Sequence, residues 1–270
     1  MAAVDIAAIA AEALSAIDAG RPIASRSTPH SAFTPADAYR AAAVMRDVRT
    51  ARGERPLGRK IGFTNRTIWA EYGVYSPIWG TMFDTTVCDL AGLGPVSLSR
   101  FSEPRIEPEI VFGIGRAPEP GMDVAALIET VEWIAHGFEI VQSIYPGWTF
   151  TPAESVAANG LHGALFVGPR VAPGPDRASW LRVLERFDID LMCDGKVVDR
   201  GNARNVLDGP LHALRHLVEM LASDPCNPPL AAGEIVTTGT LTRALPIKPG
   251  EVWSTELSGI ALEGIAIRLC

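Results

Sequence analysis

Apolar positions near the start of the chain recur with helical spacing. They do so across residues 3–19, and Gly20 ends the pattern as the end of a helix would. A second helix is predicted with Thr34 as its N-cap and Pro35 at its first position, because a hydroxyl cap and an early proline both favour a helix start. Together these helices predict a small helical N-terminal unit over residues 1–57.

Short strands dominate the pattern after residue 58. The strongest local signal is a hairpin at residues 187–198, where Asp194-Gly195 predicts a type I′ turn between two alternating runs. Pro210 begins an amphipathic helix, and the last runs of the chain are predicted as successive strands. We therefore predict an α+β fold whose strongly twisted, mixed or antiparallel sheet forms a mixed-β domain over residues 58–270.

A further helix is predicted after the proline-rich loop at residues 116–121. Asp123 is its expected N-cap, its apolar side chains continue to Ile134, and Gly137 fits the C′ position. Glu139 would then begin a strand directly after that helix.

Two acidic residues share one face of a predicted strand that begins at Arg105. Because strand side chains alternate, Glu107 and Glu109 point the same way, roughly 6 to 7 Å apart by the strand rise. A solvated face is one interpretation of this pair. A metal site is the other, since Glu139 is a third carboxylate in an apolar run, and oxygen ligands suit hard divalent cations such as Mg²⁺ or Mn²⁺.

The composition favours a globular protein that binds small molecules. The chain is 47% hydrophobic and 20% charged, and its formal charge of −7 without a basic run argues against nucleic-acid or anionic-membrane binding. No apolar run approaches the roughly 20 residues of a membrane span, and the Ala-rich start lacks the basic lead of a signal peptide. We expect a cytoplasmic location.

Several common chemistries lack a motif in this sequence. The chain has no phosphate-binding P-loop, no dinucleotide-binding glycine fingerprint and no G-x-S-x-G nucleophile elbow. Its four cysteines are scattered without a C-x-x-C pair, which disfavours a zinc site and a disulfide framework. His212 and His216 stand four apart on the predicted helix, but no Glu follows His212, so a solvated face is the better interpretation.

Three other features have both a functional and a structural interpretation. Lys60 lies between small and apolar residues, where it is either a site residue or an ordinary surface ammonium. The segment at residues 75–84 either covers a site or packs as an ordinary loop. The loop from Tyr145 to Pro152, with Trp148 and Phe150, is either a lid over a ligand or part of the packing.

The ordered motifs resemble the 2-keto-4-pentenoate hydratase and 4-oxalocrotonate decarboxylase branch of the fumarylacetoacetate hydrolase superfamily. The resemblance covers nearly the whole chain. Its motifs are Gly58-Arg59-Lys60-Ile61-Gly62-Phe63-Thr64, Ser76-Pro77 with Gly80, Arg105-Ile106-Glu107-Pro108-Glu109-Ile110, Glu139-Ile140-Val141, Asn159, and Gly233-Glu234-Ile235-Val236-Thr237-Thr238-Gly239-Thr240 with Pro249-Gly250-Glu251.

The resemblance implies a fold and a set of site residues. The fold is a mixed β-sandwich roll of the fumarylacetoacetate hydrolase C-terminal-domain type, with the helical unit added at its start and residues 58–270 as the catalytic domain. The implied sites are Mg²⁺ or Mn²⁺ on Glu107, Glu109 and Glu139, catalytic Lys60, Glu154 and Asn159, and substrate-binding Ser76, Arg204, Thr238 and Thr240.

The resemblance also implies an activity. It is a metal-dependent hydratase that adds water to a 2-hydroxy-2,4-dienoate, giving a 4-hydroxy-2-oxo acid in aromatic meta-cleavage catabolism. A vinylogous 2-oxo acid decarboxylase of the 4-oxalocrotonate type and a largely non-catalytic partner subunit are the alternatives. The implied partners are a small 2-oxo or 2-enol acid, further copies of the chain in a homo-oligomer, and a pathway decarboxylase or aldolase.

Two positions depart from the family pattern. Ala158 stands where an acidic residue usually precedes Asn159, and Arg204 stands where a small residue is usual. A guanidinium could receive a second substrate carboxylate, which would favour a dicarboxylate or otherwise extended substrate. The other interpretation is an ion pair between Arg204 and Asp199 or Asp208.

Overall fold

The computed structural model describes residues 4–23, 33–66 and 69–270. Within these ranges, helices and sheets are intermixed along the chain. The α-helices are α1 (Ile6–Ala19), α2 (Pro35–Ala51), α3 (Trp69–Tyr72), α4 (Val124–Ile128), α5 (Pro152–Ala157), α6 (Arg177–Val183) and α7 (Pro210–Ala222). None of these helices combines the length and the hydropathy needed to cross a bilayer.

The strands of the described residues form two sheets. They are β1 (Pro56–Gly62), β2 (Ile78–Phe83), β3 (Val87–Asp89), β4 (Arg105–Ile114), β5 (Val131–Val141), β6 (His162–Val167), β7 (Asp188–Cys193), β8 (Lys196–Asn202), β9 (Ile235–Thr240), β10 (Leu245–Pro246), β11 (Val252–Ser258) and β12 (Ala266–Arg268). The large sheet has the order β2-β1-β9-β4-β5-β6-β3, with β10 on β4, and the small sheet has the order β12-β11-β7-β8. Because β1 pairs with β9 and β3 with β6 in parallel while the other pairs are antiparallel, the predicted mixed α+β architecture is confirmed.

One face of the large sheet is covered over most of its width. Phe112 and Val236 pack in one cluster with Leu217 of α7. Farther along, Phe138 packs in a second cluster with Trp253 of the small sheet. By strand alternation, Glu107, Glu109 and Val111 of β4 point away from this covered face, so the acidic residues lie on the other side of the sheet.

A buried histidine joins the two sheets. The Nδ1 atom of His136 on β5 lies 2.9 Å from the backbone oxygen of Glu109, and its Nε2 atom lies 2.9 Å from the hydroxyl of Thr255 on β11. Burial lowers the pKa of His136 to about 4, so the ring is neutral at ordinary pH. The strand that carries Glu109 is thereby tied to the small sheet.

The two predicted N-terminal helices are confirmed with their caps. Gly20 ends α1 in the left-handed conformation, and Thr34 and Asp37 form a capping box at the start of α2. Both helices pack on α5 through small apolar side chains such as Ala153. The boundary at residue 57 stays a prediction.

The predicted hairpin is also confirmed. Asp194 and Gly195 have φ values of 50° and 74°, as a type I′ turn requires at its two central positions. The helix that begins at Pro210 is confirmed, and Gly209 is its N-cap residue.

The long helix predicted after Asp123 is wrong. Only α4 is helical there, and the apolar positions from residue 131 onward belong to β5, which pairs with β4 along its whole length. Gly137 is therefore no helix cap: it lies inside β5 opposite Glu109, and Glu139 lies near the end of that strand. Pairing with β4 has overridden a local pattern that suited either structure.

A tight contact positions β2 against the turn at Asn159–Leu161. A Cβ atom added to Gly80 would lie 2.1 Å from the backbone oxygen of Asn159. The Asn159 amide oxygen accepts from the Thr81 N–H and its amide nitrogen donates to the Thr81 carbonyl, both at 2.8 Å. The Asn159 side chain thus takes the hydrogen-bonding position beside Thr81 that a neighbouring strand would occupy.

We expect Gly80→Ala to reduce the free energy of unfolding by about 1 to 3 kcal/mol, the usual cost of overpacking, because backbone must move to admit the methyl group. Chemical denaturation measures the change. Gly94→Ala is the matched control, since a Cβ atom there meets nothing within 4 Å. Equal stability of the two variants would contradict the close approach.

Candidate active site and metal centre

Three carboxylates meet on the open face of the large sheet. Glu107 on β4 is directly opposite Glu139 on β5, and Glu109 follows on the same side of β4. Their carboxylate oxygens lie within 4.8 Å of one another. Glu109 and Glu139 are completely buried, so the solvated-face interpretation of this strand is wrong.

Each of the two buried carboxylates is held by a specific donor. The Gly239 N–H donates to Glu109 Oε2 at 2.7 Å. Gly239 has a φ of 97°, and a Cβ atom there would lie 1.9 Å from the Thr64 hydroxyl oxygen, so only glycine fits this position. Glu139 Oε1 lies 2.7 Å from Nδ1 of His162.

His162 is itself held in place on its other side. Its Nε2 atom lies 2.9 Å from the hydroxyl of Thr86, which completes a chain from Glu139 through the imidazole ring to the threonine. Burial lowers the pKa of His162, even though Glu139 opposes that change. A neutral ring with its proton on Nδ1 donates to the carboxylate and accepts at Nε2 from the threonine hydroxyl.

Lys60 supplies the positive charge of the site. It is only 2% exposed, and its Nζ atom lies 3.5 Å from Glu139 Oε2, so the surface-ammonium interpretation is wrong. Its aliphatic chain passes Gly160 closely, since a Cβ atom there would lie 3.1 Å from Lys60 Cδ. Burial alone would lower the pKa of Lys60, but the three glutamates, Glu139 foremost, outweigh burial and raise it.

The carboxyl groups respond differently to burial. Burial raises the pKa of Glu107 to about 7 and raises that of Glu109 well above its usual value, and in both cases the charge of Glu139 adds to the increase. The pKa of Glu139 is lowered despite burial, because Lys60 and the hydrogen bond from His162 favour its charged form. Glu139 therefore holds the charge most firmly.

The residues of this cluster fit a divalent cation. Glu109 Oε1 and Glu139 Oε2 are buried and have no hydrogen-bond partner among the described residues, although Glu139 Oε2 forms the ion pair with Lys60. Full ionisation of the three carboxyl groups would exceed the one ammonium by two negative charges, which burial makes costly and which the raised pKa values of Glu107 and Glu109 reflect. Oxygen-only ligands in this number are typical of Mg²⁺, Mn²⁺ and Ca²⁺ sites, where the cation would supply the missing charge.

A cleft leads from the cluster to solvent. Lys60 and Glu107 lie on its wall, together with the aromatic side chains of Phe63, Trp148 and Phe150. The residues that line it are Lys60, Gly62, Phe63, Thr64, Asn65, Ile78, Arg105, Glu107, Val141, Trp148, Phe150, Gly160, Leu161, Thr240 and Ala244. Trp148 and Phe150 thus line the cleft and also pack against a buried apolar cluster, so the structure agrees with both interpretations of their loop.

Two residues that the resemblance assigns to catalysis have structural contacts. Glu154 forms a capping box with Thr151 at the start of α5, and it does not line the cleft. Asn159 uses both ends of its amide on the backbone of Thr81, which makes it an anchor for the adjoining turn at Gly160 and Leu161.

The predicted substrate-binding residues differ in whether they line the cleft. Thr240 lines the cleft, whereas the Thr238 hydroxyl donates to the Ile110 carbonyl inside the sheet. Ser76 and Arg204 are exposed and do not line the cleft.

Neither of the two departures from the family pattern lines the cleft, although Ala158 packs in one apolar cluster with the cleft residues Leu161, Trp148 and Phe150. The ion-pair interpretation of Arg204 is wrong, because Asp199 pairs with Arg243 at 3.1 Å and Asp208 with Arg66 at 2.8 Å. Ala158 is buried in an apolar cluster with residues of α1 and does not line the cleft.

Three groups in or beside the site were not predicted from the sequence. His162 was visible only as one histidine among small residues, and the Gly239 N–H has no side-chain signature. Arg105 was visible beside the glutamates, and the structure adds that it lines the cleft with its guanidinium 4.1 Å from the ring centre of Trp148. Alternation along β4 was the signal that could have assigned Arg105.

The chain resembles several known proteins over most of its length. The family described as Fumarylacetoacetate (FAA) hydrolase C-terminal matches residues 81–265. A 2-keto-4-pentenoate hydratase 1 from Dechloromonas aromatica is 32% identical over 78% of this chain and 77% of the relative. A 4-oxalocrotonate decarboxylase from a Pseudomonas species is 29% identical over 75% of each chain.

A solved structure shares the fold. It is the 4-oxalocrotonate decarboxylase from Pseudomonas putida G7 in complex with magnesium and adipate, which superposes with a TM-score of 0.87 at 25% identity and covers 98% of this chain and 97% of its own. The predicted fold class is thereby confirmed.

We expect His162→Leu to weaken Mn²⁺ binding about 10- to 100-fold, the usual effect of losing a residue that orients a metal ligand. His162→Asn is the matched control, because its amide can still donate to Glu139 from near the position of Nδ1. Titration calorimetry measures both affinities, and circular dichroism checks the fold. Unchanged affinity in a folded His162→Leu protein would contradict the positioning role.

Proposed function

Because the chain belongs to the fumarylacetoacetate hydrolase family, we propose that it is a metal-dependent hydro-lyase acting on a 2-hydroxy-2,4-dienoate. Water is added to the chain of the substrate, and the product is a 4-hydroxy-2-oxo acid. The observation that carries the proposal is the cluster of Glu107 with the buried Glu109 and Glu139 beside Lys60, reached by a cleft that Glu107 and Lys60 line. The names of the hydratase relatives support the choice of reaction.

The proposed cation is Mg²⁺ or Mn²⁺, held by the three glutamates. When bound, it would chelate the substrate carboxylate and 2-oxygen and act as a Lewis acid toward the dienolate. Glu109 is fixed by the Gly239 N–H and Glu139 by His162, so these ligands are oriented before a cation arrives.

Lys60 is the proposed proton-transfer or charge-stabilising group. Isomerisation of a 2-hydroxy-2,4-dienoate removes the proton from the 2-hydroxyl and adds one at C5, after which water adds its oxygen at C4 and its proton at C3. The Lys60 ammonium carries protons at Nζ and lies on the cleft wall beside Glu139, where it can stabilise a developing enolate charge.

The other residues predicted from the resemblance divide by location. We propose Thr240 as a substrate contact, because it lines the cleft, and Asn159 as a positioning residue that holds the turn beside Lys60. Glu154, Ser76, Arg204 and Thr238 do not line the cleft and are left out of the proposed site. A homo-oligomer, association with a pathway decarboxylase or aldolase, and a cytoplasmic location stay predictions.

A vinylogous 2-oxo acid decarboxylase is the second candidate. Its support is the likeness to 4-oxalocrotonate decarboxylases in sequence and in structure. The same metal and enolate chemistry would serve both reactions, which differ in whether carbon dioxide leaves.

The purified chain with Mg²⁺ or Mn²⁺ distinguishes the candidates. A 2-hydroxy-2,4-dienoate tests hydration through loss of its absorbance and formation of the 4-hydroxy-2-oxo acid. A 2-oxo-3-enedioate tests decarboxylation through release of carbon dioxide. Turnover of neither substrate by the folded chain would contradict both candidates and favour a non-catalytic partner subunit.

Glu109→Gln should abolish metal-dependent turnover and leave the fold intact, because the neutral amide keeps the shape of the side chain but removes one ligand charge. Calorimetry with Mn²⁺ is the measurement. Glu132→Gln on the same sheet is the control, since Glu132 is exposed and should be neutral to substitution. Unchanged Mn²⁺ affinity in Glu109→Gln would show that the ligand assignment is wrong.

Lys60→Met should lower kcat by roughly 100-fold or more, the scale of a positioned acid or base. Steady-state kinetics at saturating cation measures the loss. Lys248→Met is the control, because Lys248 is exposed. Near wild-type kcat in a folded Lys60→Met protein would limit Lys60 to balancing the charge of the glutamates.

A further inference from the structure

Arg105 is a positively charged residue on the wall of the cleft. It begins β4, on the same side as Glu107 and Glu109, and it lines the cleft. Its guanidinium makes no hydrogen bond or ion pair within 4.0 Å to a residue in the described ranges; it contacts the Trp148 ring, and its charge favours the ionised form of Glu107. A half-buried guanidinium with free donors is suited to receive an anion.

Trp148 holds the Arg105 guanidinium through a cation–π contact. The guanidinium carbon lies over the Trp148 ring, 4.1 Å from its centre. The indole is itself held, since Trp148 Nε1 donates to the Glu103 carbonyl at 3.0 Å and Gly147 N–H donates to the Glu103 carboxylate at 3.1 Å. This contact restrains the Arg105 side chain and uses none of its N–H donors in a hydrogen bond to a described residue, so they are available for a carboxylate.

Arg105 is separated from the metal cluster along the strand. By the strand rise, its Cα atom lies roughly 7 Å from that of Glu107 and twice as far from that of Glu109. The proposed cation and Lys60 account for the carboxylate and 2-oxygen at one end of the substrate. The same cleft is lined by apolar side chains, among them Phe150 and Val141, which is directly opposite Arg105 on β5, and these suit the carbon chain.

We infer that Arg105, oriented by Trp148, binds a second carboxylate at the far end of the substrate and so selects a 2-oxo dioic acid or its dienol over the simple five-carbon dienoate. The inference rests on the proposed function and names its substrate class. It gives Arg105 the role that the sequence pattern had suggested for Arg204, which does not line the cleft.

A binding experiment tests the role of Arg105 without requiring turnover of a substrate. Adipate and hexanoate have the same chain length and differ in the second carboxylate. We expect the Mg²⁺-loaded protein to bind adipate at least tenfold more tightly than hexanoate. In Arg105→Met this preference should fall about 10- to 100-fold, the scale of a lost charge-assisted hydrogen bond.

Two further variants sharpen the binding experiment. Arg105→Lys keeps the charge but loses the planar, bidentate donor pair, so it should recover only part of the preference. Arg116→Met removes an exposed arginine outside the cleft and should keep the full preference. Equal preference for adipate in wild type and in folded Arg105→Met would overturn the inference.

A kinetic comparison separates this inference from the proposed function. For a 2-hydroxy-2,4-dienedioate and for 2-hydroxypenta-2,4-dienoate, Arg105→Met should lower kcat/KM at least tenfold more for the dioic acid. If wild type turns over neither, the proposed function fails, and the adipate experiment still decides the role of Arg105. If wild type turns over both and the variant loses equally on both, the inference fails and the proposed function stands.

Discussion

The crowding of three carboxyl groups on two neighbouring strands, two of them completely buried, is the constraint on which the rest of the site depends. When ionised, Glu107, Glu109 and Glu139 repel one another in a setting largely shielded from water, and nothing in hydrophobic packing favours that choice. Every neighbouring feature offsets part of that cost. Lys60 supplies opposite charge, His162 and the Gly239 N–H supply hydrogen bonds, and the proposed cation would supply the remaining positive charge.

The arrangement of the sheets makes this cost tolerable. One face of the large sheet carries the apolar clusters that pack against α7 and the small sheet, and a smaller apolar cluster with Val111 and Ala135 lies on the acidic side. The covered face also fixes the register of β4 and β5, because a slip by one residue would turn the apolar set of each strand toward the cleft. The two largest apolar clusters and the three glutamates therefore lie on opposite sides of β4 and β5.

The sequence allowed much of this arrangement to be predicted, and physical reasons explain the rest. Alternation placed Glu107 and Glu109 on one face, and the cap residues at Gly20 and Thr34 located the first two helices, because both signals are local. The helix predicted beyond Ile128 was wrong, since an apolar run that suits helix or strand is decided by its partner β4.

The contacts that hold the glutamates in place were harder to predict from the sequence than the glutamates themselves. The pairing of His162 with Glu139 depends on tertiary contact between two strands, and the donor to Glu109 is a backbone N–H that any sequence could supply. Arg204 was selected because it departs from a pattern, but its place in the fold leaves it exposed. Arg105, which the pattern did not single out, is the arginine that lines the cleft.

The position of the three glutamates along the chain bears on the order in which the molecule assembles. All three lie between residues 107 and 139, on strands that follow one another and pair antiparallel, so they meet as soon as that local pair forms. Lys60 and Gly239 come from distant parts of the chain, on β1 and β9, and β9 joins β4 and β1 only by closing far longer loops. The three glutamates thus form a low-contact-order unit, and the contacts of Lys60 and Gly239 with them have high contact order.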